Sequence, residues 1–464
     1  MKNIRDVSMK KLTLISFILV LALVFTACSN SNGNASTAGN ASNNPKETEG
    51  VTKDKGSETV TIRVAIRDYL TAEAEKVVAA FEDQHPNIKV ELEPWPTNED
   101  QYRQKITTNL AANNLPDILA NLGGMVSLFA DSGITMSLDE LLGSDSGLNK
   151  DEFDEAFLQT GVSFGNKTKG EVHMLPLGAD ALVIFYNKRL FDEANVPYPT
   201  SDWDYEKFID TARKLTIKDD KGNTVTYGAN IRYTWQAIYG PLLENFEGSL
   251  VNAEMDKALF HSPEAIKGWK AMLEPEKEGI FVPMTVQNDM GNDNAPFLGG
   301  KAAMHTGIRA QVPMVRNGLK DDWDVVELPY INGVKKVGAG AVGFSITSST
   351  KHKDEAWEFM KFIYDGEGGM KIFAENYSVV PPIKSLYNSS FWKELPGPPY
   401  SNHVFTDTLK YSVISPPLPV EASGAFKGAI KEALERYLLN DENNLEALMQ
   451  EAADKATKAL SENK

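Results

Sequence analysis

Cysteine is all but missing: the chain of 464 residues holds one, Cys28, so it can form neither an internal disulfide nor a thiolate metal cluster. Histidine is nearly as sparse. His85, His173, His261, His305, His352 and His403 are scattered, and no His-Glu-x-x-His pair sets two imidazoles on one helical turn to hold zinc. A Gly-x-Ser-x-Gly nucleophile elbow and a Gly-x-x-x-x-Gly-Lys phosphate cradle are also absent. Positive charge is in deficit, with 47 Lys and Arg against 64 Asp and Glu and a formal charge of −17, which argues against nucleic acid as a partner. Carboxylates are plentiful, yet nothing singles out two of them as the flanking pair that glycoside hydrolysis requires. The reading therefore implies no cofactor, no metal and no reacting group, and no repeat of fixed period is visible.

What is present begins at the N-terminus. Lys2, Arg5, Lys10 and Lys11 precede an apolar run from Leu12 to Ala27, the pattern of a signal peptide. That run is short of the roughly 20 residues a membrane span needs. It ends in Phe25-Thr26-Ala27-Cys28, which resembles a bacterial lipobox, with Phe25 where Leu is usual. The resemblance implies cleavage after residue 27, acyl chains on Cys28 and anchoring to the outer face of the cell membrane. Residues 28–57 are rich in Ser, Asn, Gly, Thr and Lys, with Val51 their one sizeable apolar side chain, and read as a flexible tether. The segment before Cys28 holds four basic residues and one acidic residue, so the remainder carries −20.

Roughly 400 residues follow, enough for two domains at about 150 residues each. Val60 to Ile66 alternates as a strand, Thr71 to Gln84 has a helical face with Val77, Val78 and Phe81, and Ile88, Val90 and Leu92 resume alternation. This is a strand-helix-strand unit, which makes the strands parallel. The pattern continues through a helix from Glu99, strands at Asp117 to Ala120 and Leu182 to Tyr186, and helices at Tyr205 to Leu215, Pro263 to Lys277, Lys353 to Tyr364, Ala425 to Tyr437 and Asn444 to Leu460. An α/β architecture follows. The Asp-rich turn at Lys218 to Asn223 lacks the ligand spacing of a calcium loop.

Gly338-Ala339-Gly340-Ala341-Val342-Gly343 matches a dinucleotide fingerprint literally, but a strand-like stretch follows it and no helix starts there to receive a pyrophosphate. These glycines instead allow a close approach of backbone to a ligand or a crossing strand, with Gly340 a candidate contact. Ligands of open α/β sheets sit beyond the carboxyl ends of strands. Tyr69, Trp95 and Asn121 occupy such positions, and packing is the competing role for each.

Four blocks then add up to a family. Leu175 to Phe191 with Trp203, Leu115-Pro116-Asp117-Ile118, Phe297 to Met304 with Gly307, and Gly338 to Ser345 with Ala356 to Phe362 resemble, in order and spacing, the family 1 extracellular solute-binding proteins, the maltose-binding type. The resemblance implies a periplasmic-binding-protein fold of two α/β lobes joined by three crossing strands, with a ligand cleft between them and no catalysis. Lobe 1 would comprise 58–175 with 307–342 and lobe 2 176–306 with 343–464, the crossings falling near Leu175 to Leu182, Ala303 to Gly307 and Gly340 to Ser345. It implies an importer's binding lipoprotein that takes a sugar or oligosaccharide and delivers it to ABC permease subunits, as a monomer. Asp180 falls where such proteins accept sugar hydroxyls, and a carboxylate offers two oxygens for that purpose. Asn121 lies where relatives often contact ligand. Arg309 replaces an expected Trp, and its guanidinium fork would suit an acidic sugar, a neutral hydroxyl or a carboxylate of the protein. Aromatic platforms would come from Trp235, Tyr233, Trp95 and Tyr69. The alternatives are a secreted carbohydrate-active enzyme, which needs a carboxylate pair with separated pKa values, and a lipoprotein that presents ligand to a membrane sensor.

Overall fold

The computed structural model describes residues 59–462, apart from 97, 145–146, 179, 377–378, 416–417, 419 and 440–441. The leader, Cys28 and the tether lie outside the described residues. Those described belong to one compact unit, Gly56–Lys464, and no helix among them is long and apolar enough to cross a membrane.

The first sheet contains β1 (Val60–Arg67), β2 (Ile88–Trp95), β3 (Ile118–Leu122) and β4 (Leu175–Pro176). β1 runs parallel to β2, with Val60 opposite Ile88 and Arg67 opposite Trp95, and parallel to β3 on its other side. The helix Thr71–Gln84 makes the crossover. It buries Ala74, Val77 and Phe81, spaced by three and four on one face, while Val78 is only partly covered. Phe81 stacks on His85 at 4.3 Å and meets Phe359 and Phe362 edge-on at 5.0 and 5.5 Å, which ties this helix to Lys353–Tyr364 in the same core.

The second sheet is built on β6 (Val183–Asn187), which is buried along its whole length. Its antiparallel neighbours are β9 (Ala302–Gly307) and β10 (Trp323–Glu327), and the order continues through β8 (Thr224–Asn230) to β7 (Ile217–Lys218). The helices Val420–Leu439 and Leu445–Glu462 close the core on this side.

A third, small sheet joins the two. Its strands are β5 (Asp180–Ala181), β11 (Val337–Gly340) and β13 (Ser412–Ile414), in the order β13-β11-β5. β5 follows β4 of the first sheet and precedes β6 of the second; β11 leads directly into β12 (Val342–Ile346), which pairs with β3 and β4. β13 precedes the two long helices of the second core. The expected fold of two α/β lobes with three crossings is present, with two corrections. Ala303 to Gly307 is no crossing: β9 lies inside the second sheet, buried on both faces between β6 and β8, and the third crossing is β13. The lobe boundaries around residue 342 also reverse. β10, expected in lobe 1, hydrogen-bonds to β6, whereas Gly343 to Ile346, expected in lobe 2, pair with β3.

The glycine run spans β11 and β12. A Cβ on Gly338 would collide with the carbonyl oxygen of Ala237, and one on Gly343 with that of Leu175, so both glycines serve close backbone packing. The acidic turn closes on itself: Asp219 accepts the N–H groups of Lys221 and Asn223 at 2.9 and 2.8 Å and the Asn223 amide at 3.0 Å. No cluster of metal-ligating side chains occurs among the described residues.

Candidate functional site

In the first sheet β1, β2 and β3 are parallel, and β4 shares their direction because both it and β3 oppose β12. Their carboxyl ends therefore lie at one edge, next to the joining strands. In the second sheet β8 and β9 are parallel, and Gly307, at the end of β9, pairs with Val183 two residues past β5. The segments after β8 and β9 thus approach the same joining strands from the other side. Strand ends of this kind are where open α/β sheets take ligands.

Asp180 sits on the joint itself, opposite Gly340 in the β5–β11 ladder. A Cβ on Gly340 would meet nothing within 4 Å, so space is open there. The backbone N–H groups of Ala310 and Arg309 donate to the Asp180 carboxylate, and desolvation nonetheless pushes its pKa up to about 7. Its Oδ1 is buried and has no hydrogen-bond partner among the described residues. An unpaired buried acceptor costs about 1–3 kcal/mol, and a hydroxyl donor on a ligand removes that cost. Tyr69, just past β1, leaves 48% of its surface open. Burial of its hydroxyl and the nearby charge of Asp180 both raise its pKa, so the first lobe and the joint meet at this pair.

Other expected contacts are withdrawn into the interior. Trp95 is 0% exposed; its Nε1 donates to Glu93 at 3.1 Å and its ring meets Tyr102 at 5.5 Å, so the end of β2 serves the core. Asn121 is equally closed, with Oδ1 accepting from Leu122 N at 2.8 Å and Nδ2 near Ser345 Oγ at 3.5 Å. It pins β3 to β12. Tyr233 is buried, its hydroxyl donating to Val282 O at 3.0 Å.

Arg309 is also 0% exposed. Its guanidinium lies over Trp392 and Phe405 at 4.7 and 5.2 Å and donates to Asn402 Oδ1 at 3.1 Å. The expectation that it reads a ligand is overturned, because the side chain fills an aromatic pocket of the protein. What it gives the joint is a backbone N–H and a positive charge for Asp180.

Trp235 is half-buried at the start of the helix Gln236–Asn245. One indole face is covered by Arg232, whose guanidinium lies 4.1 Å from the ring centre. Arg232 Nε donates to Asp293 Oδ2 at 2.6 Å. The sequence reading missed this arginine, although it stands two residues past β8, where the strand-end rule applied equally.

Residues 67–370 match the family described as bacterial extracellular solute-binding protein. The chain belongs to that family. This solute-binding protein is 27% identical over 343 residues to a binding protein of Brucella abortus, covering 70% of the chain and 76% of the relative. It is 21% identical over 388 residues to the maltotriose-binding protein of Pyrococcus abyssi, covering 81% and 76% respectively. Among solved structures, the fold is similar to that of an ABC substrate-binding protein from Listeria monocytogenes in complex with cycloalternan. There the TM-score is 0.74 at 20% identity, over 86% of this chain and 99% of the other.

Proposed function

We propose that this solute-binding protein captures an oligosaccharide in the cleft between its lobes and delivers it, chemically unchanged, to an ABC permease. The observation that carries the reading is Asp180: a carboxylate on the joint, with one oxygen buried and unpaired, beside an open-faced tyrosine. Sugars present hydroxyl donors at their edges and C–H groups on their faces, and this pair offers an acceptor for one and a ring for the other. Maltotriose and cycloalternan, named for two of the similar proteins, support an oligosaccharide as the class of ligand. The mature protein works as a monomer held to the outer membrane face by lipid on Cys28.

The test is thermal unfolding of the body from about residue 57 against neutral and uronate-containing oligosaccharides, with product analysis of every hit. Ligand at about 100 times its Kd adds roughly 2.7 kcal/mol of stability. A rise in Tm with intact ligand is the expected result. Cleaved ligand would replace the binding reading with an enzymatic one, and no rise across the panel would end the carbohydrate reading.

A further inference from the structure

Beyond Asp180 and Tyr69, the segment after β8 carries a cation that is held but not used up. Arg232 spends Nε on Asp293 and holds its guanidinium 4.1 Å from the centre of the Trp235 ring, while its two terminal nitrogens have no hydrogen-bond partner among the described residues. The side chain remains 23% exposed. A sugar cannot stack on an indole face that a guanidinium already covers, so what this corner offers a ligand is the forked edge of the arginine.

A continuous polar frame holds that corner. Asn230, the last residue of β8, donates from Nδ2 to Asp293 O at 2.6 Å and to His305 Nδ1 at 3.0 Å, while its Oδ1 accepts from Gln287 at 2.9 Å. With Asn230 Nδ2 as the donor, His305 Nδ1 accepts and the proton sits on Nε2, facing Asn294 Oδ1 at 3.1 Å. Asn294 Oδ1 also takes Gln311 Nε2 at 2.7 Å, and Gln311 Oε1 takes Ile308 N at 2.9 Å. The frame thus runs from Arg232 to the turn whose N–H groups hold Asp180. Burial, with the positive charge of Arg232 second, lowers the His305 pKa to about 4, so the ring stays neutral and the donor pattern is kept.

We infer that Arg232 is a specificity-determining residue of the cleft, presenting its terminal N–H groups to two adjacent ligand oxygens, and that Asn230, His305 and Asn294 position it. This rests on the carbohydrate reading above. The shared chemistry is a pair of acceptors within one fork, supplied either by a carboxylate of an acidic sugar or by vicinal hydroxyls of a neutral one.

The experiment is calorimetric binding to the mature body of neutral tri- to hexasaccharides and their uronate-terminated counterparts, for wild type, Arg232→Ala, Arg232→Lys, His305→Leu and the Arg232→Ala/His305→Leu double variant. Arg232→Ala should bind roughly 10- to 100-fold more weakly with Tm little changed. Lys should restore binding in part for a uronate and hardly at all for a diol, which separates the two sources. His305→Leu should weaken binding in the wild-type background and add little once Arg232 is gone, a coupling that general loss of structure does not produce. Nitrogen NMR of wild-type His305 should show the Nε2–H tautomer without titration from pH 5.5 to 8. Equal affinity for Arg232→Ala overturns the assignment, and an Nδ1–H tautomer or a pKa near 6.5 overturns the frame. If wild type binds nothing in the panel, the carbohydrate reading falls and the assignment with it.

Discussion

Two arginines follow two parallel neighbours in one sheet, Arg232 after β8 and Arg309 after β9, and both lie on tryptophan. They end in different circumstances. Arg309 is sealed over Trp392 and Phe405 with Asn402 as a partner, whereas Arg232 keeps part of its surface open over Trp235. An arginine at a strand end is thus left partly open or made a strut according to what the rest of the chain brings against it. The partners of Arg309 come from 83 or more positions downstream; Trp235 is three residues from Arg232.

That contrast can be broken by measurement. The largest effect belongs to Arg309→Ala, which empties an aromatic pocket and leaves Asn402 without its donor; a loss of about 3 kcal/mol is expected in denaturant unfolding. Arg232→Ala should cost under about 1 kcal/mol of stability by the same assay, and equal losses would erase the distinction between the two. Next comes Asp180→Asn, which removes the charge-assisted acceptor and should weaken oligosaccharide binding about 10- to 50-fold in calorimetry. An unchanged Kd would return Asp180 to the role of holding the turn at Arg309.

The pH dependence sharpens the same point. The ionised carboxylate is the better acceptor, so affinity should rise as pH climbs through about 7, where Asp180 titrates. Ligand-free stability runs the other way. The folded carboxyl keeps its proton between 3.8 and about 7 while the unfolded one has lost it, so stability falls over that window. Glu276, also raised to about 7 by desolvation, has the same sign, so Asp180→Asn should flatten only part of the slope in Tm against pH. The smallest effect is Trp235→Phe, which keeps a ring beneath Arg232 and should change Kd by no more than about threefold.

The element sequence was legible because its helices and long strands carry strong periodicity: Tyr205–Leu215, Pro263–Lys277 and Lys353–Tyr364 fall where the pattern puts them. The joint was only partly legible. β4 and β5 have two residues each and β13 three, too few to show a period, and the crossing expected at Ala303 to Gly307 comes from the family resemblance, which does not say that β9 is enclosed between β6 and β8. At the site, strand-end position points to Tyr69, Trp95 and Asn121, and the family resemblance to Asp180 and Arg309; Tyr69 is the strand-end candidate that stays exposed. Two strand-end candidates are buried, Trp95 against its near neighbours Glu93 and Tyr102 and Asn121 against the distant Ser345, and Arg309, which the resemblance suggests, is buried by Trp392 and Phe405, both distant in sequence.

The ladder between β5 and β11 joins two residue pairs, Ala339 with Ala181 and Gly340 with Asp180. Even with the three β11–β13 pairs beside it the joint is short, and a side chain on so short a pivot would sweep little arc if the arms swing. Asp180 would hold nearly the same place with the lobes apart or together, so a sugar bound there as proposed would moor before either lobe moves. On the proposed function the order of events would be mooring first and enclosure second, with the on-rate set at the pivot and the residence time by the arms.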